Sequence, residues 1–228
     1  MTSIRLSPTR ALCGFLAALV LAGLPTLAFA KEDGWQLRKD KDGIQVYSRP
    51  VEGWTIHEVR AVTRIPSKLS SIIAVIDDVP NLPKLVTIVD KAELFHRDSP
   101  TKYQVYTTIK MPWPVSNRDA LNQREIQQDA TTHVVTITDK ALAEGKPVEK
   151  DKVRIVKSTQ IWTLTPGADG TVEVQTRMLS DPNGPIPSGI INAMSVGAPY
   201  DTLENLRKLS ADPKYANASL PFIQEPQK

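Results

Sequence analysis

The sequence predicts an α+β domain in which a curved antiparallel sheet wraps around one long C-terminal helix. Alternating apolar and polar residues recur in long runs, the longest being Thr55 to Ile65, which exceeds an ordinary sandwich strand. A single long helical pattern follows near the end, from Ser188 to Leu209, and no internal repeat or linker divides the chain. Long strands in succession bend strongly, and a bent sheet closes its concave face only when a helix plugs it.

Taken in order, Ile44 to Arg49 alternates and reads as a strand, and Thr55 to Ile65 as another. Pro66-Ser67 opens a helix with Leu69, Ile72, Ile73 and Ile76 on one face, which Asp77-Asp78-Val79-Pro80 ends. Asn81 to Lys84 is a turn or short helix. Strands are expected at Leu85–Phe95, Tyr103–Met111, Asp119–Gln127 and His133–Thr138, then at Val153–Thr165 and Thr171–Ser180. Ala141 to Asp151 is polar and charged, so it reads as an exposed loop, and the tail after Asp212-Pro213 as loop or frayed end.

The long helix begins after Asp181-Pro-Asn-Gly-Pro-Ile-Pro187, a rigid turn that holds the chain extended until Ser188. Ile191, Met194, Ala198, Thr202, Leu206 and Leu209 form one apolar stripe, and Val196, Tyr200 and Leu203 a second. Pro199 inside the helix costs about 3 kcal/mol unless the helix bends, so two half-helices are expected. The first half is rich in Gly189, Ala193, Ser195, Gly197 and Ala198. Where such small residues face a sheet the gap between them stays open, and an unfilled apolar gap is a ligand site.

Residues 1–30 read as a secretory signal peptide: Arg5 and Arg10, an apolar run from Ala11 to Leu24, then Ala28-Phe29-Ala30 before polar Lys31. The alternative is an uncleaved anchor, for which the run is short against a span of about 20 residues. Cleavage near Ala30 makes the protein periplasmic or secreted and removes the single cysteine, Cys13, which lies too early for a lipoprotein attachment site. Residues 31–212 then form the domain and 213–228 its tail. Lys plus Arg number 28 against 25 Asp plus Glu, and the basic residues are scattered among acids, so no nucleic-acid partner is expected. His57, His96 and His133 have no metal-ligand spacing, and Ser188 and Ser195 lack a nucleophile elbow. No metal, cofactor or catalytic group is therefore expected.

Pro112-Trp-Pro-Val-Ser-Asn-Arg118-Asp119 resembles a StAR-related lipid-transfer (START) domain, which carries a Pro-rich turn and an Arg-Asp pair at this place. Trp35 with Gly43 to Tyr47 resembles the family's opening, Lys152-Val-Arg154 its later Val-Arg strand, and Asp181 to Pro187 with Asn192 the approach to its last helix. The resemblance implies the helix-grip (START/Bet v 1-like) fold, with one lipid in a tunnel between sheet and helix. It also implies a gate loop at Pro112, Trp113, Pro114 and Val115, which would open for the lipid and touch a membrane transiently. The chain departs from the family in having Leu82-Pro-Lys84-Leu85 where a Trp commonly follows the first helix.

The lining is expected from Met111, Trp113, Tyr106, Arg124 and Met178, and on the helix from Ile191, Met194 and Ala198. For Tyr106, Met178 and Met194 plain core is the alternative, and for Trp113 a turn packed into the core. Arg124 matches by spacing the cavity arginine of sterol-binding relatives, yet the region around Tyr103 to Val105 offers no acid. An arginine without a carboxylate suits an anionic head group. Arg118 and Asp119, adjacent on a strand, point to opposite faces, so a structural ion pair with loop or helix termini is expected of them. Three functions follow as expectations. The first is a monomeric envelope carrier of a sterol-like, fatty acyl or phospholipid ligand. The others are a polyketide-cyclase-like enzyme using His57, Arg124 or Tyr106, and an interaction subunit with a filled interior.

Overall fold

The computed structural model describes residues 34–186 and 188–226, and of Ser188, Gly189, Asn192 and Ala193 the backbone alone. The expected signal segment, Pro187 and the Asn192 side chain lie outside this description. Ten strands form one curved sheet: β1 Gln36–Lys41, β2 Ile44–Pro50, β3 His57–Pro66, β4 Val89–Ser99, β5 Lys102–Ile109, β6 Asn117–Gln128, β7 Val135–Ala141, β8 Lys152–Arg154, β9 Lys157–Pro166 and β10 Thr171–Asp181. Their spatial order is β1-β2-β3-β10-β9-β7-β6-β5-β4, antiparallel throughout, and β8 lies parallel to the start of β6. Helix α1 (Leu69–Asp77) and the single turn α2 (Leu82–Leu85) connect β3 to β4, α3 (Ser188–Ser210) follows β10, and α4 (Pro213–Ala216) opens the tail.

Alternation decides which side chains meet the helix. Ile44 and Val46 on β2, Val59, Ala61 and Ile65 on β3, and Val172 and Val174 on β10 are all buried on one face. The last turns of α3 cover that face, where Tyr200, Leu203 and Leu206 pack against β2, β3, α1 and α2. This half is solid core, with Thr202 Oγ1 donating to the Ala198 carbonyl at 2.7 Å.

Four expectations change. Strand β1 was not expected; it pairs with β2 through a two-residue turn, Asp42-Gly43, with both residues at positive φ (53° and 71°). The strand expected over Val153–Thr165 is two, because β8 lies beside β6 whereas β9 lies between β7 and β10, and the chain crosses over at Ile155-Val156. Helix α3 runs continuously through Pro199 instead of dividing there. The tail is docked: Tyr215 and Ile223 are buried, and the Glu225 carboxylate accepts from the amides of Leu69 (3.0 Å) and Ser70 (2.8 Å), capping α1, whose N-cap Lys68 supplies no side-chain bond. Among the described residues no helix is long and apolar enough to cross a membrane.

Candidate ligand cavity

The first half of α3 stands off the sheet. Its described residues from Ile190 to Pro199 are half-buried, and a methyl group added at Gly197 would meet nothing within 4 Å. The hollow measures about 570 Å³. Ile191, Met194 and Ala198 wall it from the helix, Val59, Ile109, Arg118 and Met178 from the sheet, and Met111 from the loop between β5 and β6. Exposed Thr55, His57 and Arg38 form a rim. An adjoining space of about 130 Å³ shares Ile88, Ile109, Ile155, Met178 and Ser180 with it and extends to Leu82, Leu85, Trp162 and Arg124.

Met111, Met178, Ile191, Met194 and Ala198 thus meet around one space, whereas the other expected lining residues do not. Val105, Thr107 and Ile109 of β5 face inward, which turns Tyr106 to the opposite face. There the Tyr106 hydroxyl donates to Asp119 and lies 2.9 Å from both Asp119 Oδ2 and Glu149 Oε1. Burial, then those two carboxylates, push its pKa far above the ordinary tyrosine value. Trp113 is 93% exposed, so it neither lines the hollow nor packs into the core. Its loop is pinned at both ends: the Met111 amide donates to Asn117 Oδ1 (3.0 Å) and the Val115 amide to the Pro112 carbonyl (3.0 Å).

Arg118 and Asp119 take separate partners. Asp119, fully buried on the outer face, accepts from Arg154 Nε and Nη2 at 2.8 Å each, and Arg154 also donates to the carbonyls of Lys146 and Pro147. Burial alone would raise the Asp119 pKa, but the bonds from Arg154 and Tyr106 outweigh it and hold the carboxyl below its ordinary range. Arg118 forms no ion pair among the described residues. Its guanidinium donates to the carbonyls of Pro182 (3.1 Å), Asn183 (2.8 Å) and Ser116, tying the Pro-Trp-Pro loop to the turn before α3.

Arg124 does have a carboxylate. Its Nε and Nη2 bond both oxygens of Asp139 (2.7 and 2.9 Å), and Nη1 donates to the Ile76 carbonyl (2.7 Å). Desolvation works against the charge, but Asp139 and then Asp77 outweigh it, so the pKa is raised. Asp139 arrives from β7 directly across the sheet from Arg124. Sequence reading missed it because strand register, which is non-local, selects the partner. No group of three or more His, Cys, Asp or Glu that could hold a metal occurs among the described residues.

A curved sheet gripping a C-terminal helix, with a hollow left under the helix's first half, defines the helix-grip class. A family model described as START domain matches residues 19–209, and the chain belongs to that family. An uncharacterized protein of Pseudomonas aeruginosa is 33% identical over 198 residues, covering 85% of this chain and 96% of that one. The crystal structure of a STAR-related lipid transfer protein from Xanthomonas axonopodis is 35% identical with a TM-score of 0.72, covering 78% of this chain and 99% of that one. Phosphatidylcholine transfer protein of Rattus norvegicus is 24% identical over 162 residues, 69% of this chain and 75% of that protein. Human StAR-related lipid transfer protein 5 shares the fold (TM-score 0.71) at 14% identity, covering 79% of this chain and 88% of that one.

Proposed function

We propose that the protein is a monomeric lipid carrier of the bacterial cell envelope, exported by residues 1–30. It shelters one hydrophobic molecule and catalyses no reaction. The observation that carries this reading is the hollow of about 570 Å³ beneath Met194 and Ala198, within the 300–1,000 Å³ range of small-molecule sites. Each methylene moved into it from water contributes about 0.8 kcal/mol, so an acyl chain of a dozen carbons gains about 10 kcal/mol before the cost of ordering it. No covalent step is needed to hold it. Of the three groups considered for an enzyme, Tyr106 faces away from the hollow and Arg124 is ion-paired, leaving only His57 on the exposed rim. Trp113, exposed beside Met111 of the wall, is the membrane-seeking group, since an indole partitions to the interface between water and lipid. Movement of a fluorescent lipid between donor and acceptor vesicles tests both parts. The protein should accelerate it, and Trp113→Ala should slow transfer several-fold while leaving the urea midpoint unchanged. Equal rates with and without protein would overturn the reading.

A further inference from the structure

The charges around the hollow are one-sided. Among the described residues lining it are Arg38 and Arg118, and neither Asp nor Glu. Arg118 is the telling one, with only 2% of its surface exposed. Among the described residues its hydrogen bonds go to the carbonyls of Pro182, Ser116 and Asn183, which use three of the five N–H groups that a guanidinium carries. Carbonyls satisfy donors but bring no net negative charge. The sheet's other buried arginines, Arg124 and Arg154, each have a bidentate carboxylate. A buried cation with no counter-ion is strongly disfavoured, and an anion entering the hollow removes that cost.

We infer that the ligand is an anionic lipid with a single acyl chain, its carboxylate or phosphate held by Arg118. The inference rests on the carrier reading above. Space limits the chain number: at roughly 30 Å³ per water-sized group, the share of a water in the liquid, about 570 Å³ holds about 20 heavy atoms. That suits one chain with its head, and a second chain would need about twice as much. The rigid turn that supplies the Pro182 and Asn183 carbonyls fixes the guanidinium, which therefore meets the ligand preorganised.

The test is calorimetric titration of delipidated full chain with oleate, oleyl alcohol and oleylamine, which share one chain and differ in head charge. Oleate should bind about tenfold or more tighter than the alcohol, and the amine most weakly. Oleyl phosphate, with the same chain and a phosphate head, should match oleate, and dioleoyl phosphatidate should bind at least tenfold more weakly than either. Arg118→Met should remove the preference, so that oleate and the alcohol bind equally within that variant. Because that substitution also strips donors from three carbonyls, the wild-type head-group series decides the matter by itself should the variant fail to fold. Alcohol binding as tightly as oleate overturns the anionic head while the carrier reading stands, and diacyl binding equal to monoacyl overturns the single chain. Failure of every ligand to bind overturns the carrier reading as well.

Discussion

Removing Arg154 should destabilise the fold far more than removing a surface cation, because it strands Asp119, which is fully buried. Arg154→Ala is expected to cost about 3–5 kcal/mol in urea unfolding, the range for an uncompensated buried charge. Arg64→Ala, which breaks a pair with Glu173 whose side chains are 71% and 44% exposed, should be nearly neutral. Asp77 gives a second test at this scale. Burial raises its pKa above the ordinary 3.8, against the opposing pull of Arg124 and Arg97, and Tyr103 donates to the carboxyl. A carboxyl whose folded pKa exceeds its unfolded one binds protons more readily when folded, so its contribution to stability is present at low pH and lost as pH rises through the folded value. Asp119 runs the other way: its contribution is present above its unfolded value and lost as pH falls. Asp77→Asn should therefore gain stability relative to wild type as pH climbs above about 4, measured by urea titrations across pH. A difference that stays flat would contradict the assignment.

At the scale of elements, short-range patterns were legible and partner choice was not. Helix α1 follows from Leu69, Ile72, Ile73 and Ile76 at helical spacing, and all four are buried. Strand β1 escaped because Gln36–Lys41 is a polar edge strand with little apolar alternation, although Asp42-Gly43 is the turn chemistry that marks a hairpin. The break at Ile155 escaped because the residues there are as β-prone as their neighbours, and what interrupts the strand is a change of partner from β6 to β9's neighbours. Glu225 shows the same effect, since nothing near it in sequence indicates that it caps a helix about 155 residues away. Glu225→Ala should lower stability by about 0.5–2 kcal/mol in urea unfolding, the usual value of an N-terminal cap, with the lipid affinity unchanged.

At the scale of the whole molecule, the hollow exists because one half of α3 is built of small side chains and the other half of Tyr200, Leu203 and Leu206. The second half secures the helix to the sheet, so the first half can remain unpacked without the helix leaving. That division was legible in the sequence, and so were Met111, Met178, Ile191, Met194 and Ala198 of the wall. The arginines were not distinguishable. Arg118 and Arg124 have the same parity on β6, so both face inward, but a carboxylate lies across the sheet from one and backbone carbonyls surround the other. Charge compensation assembled from distant strands has no local signature.

The central claim is that the hollow holds one lipid, and native mass spectrometry of stripped protein mixed with single-chain lipid tests it most directly. A complex of one protein with one lipid is expected, and Met194→Trp, which narrows the hollow from the helix side, should lower the bound fraction. A spectrum showing only bare protein for wild type, or one in which several lipids add with no preferred single-lipid complex, would contradict it.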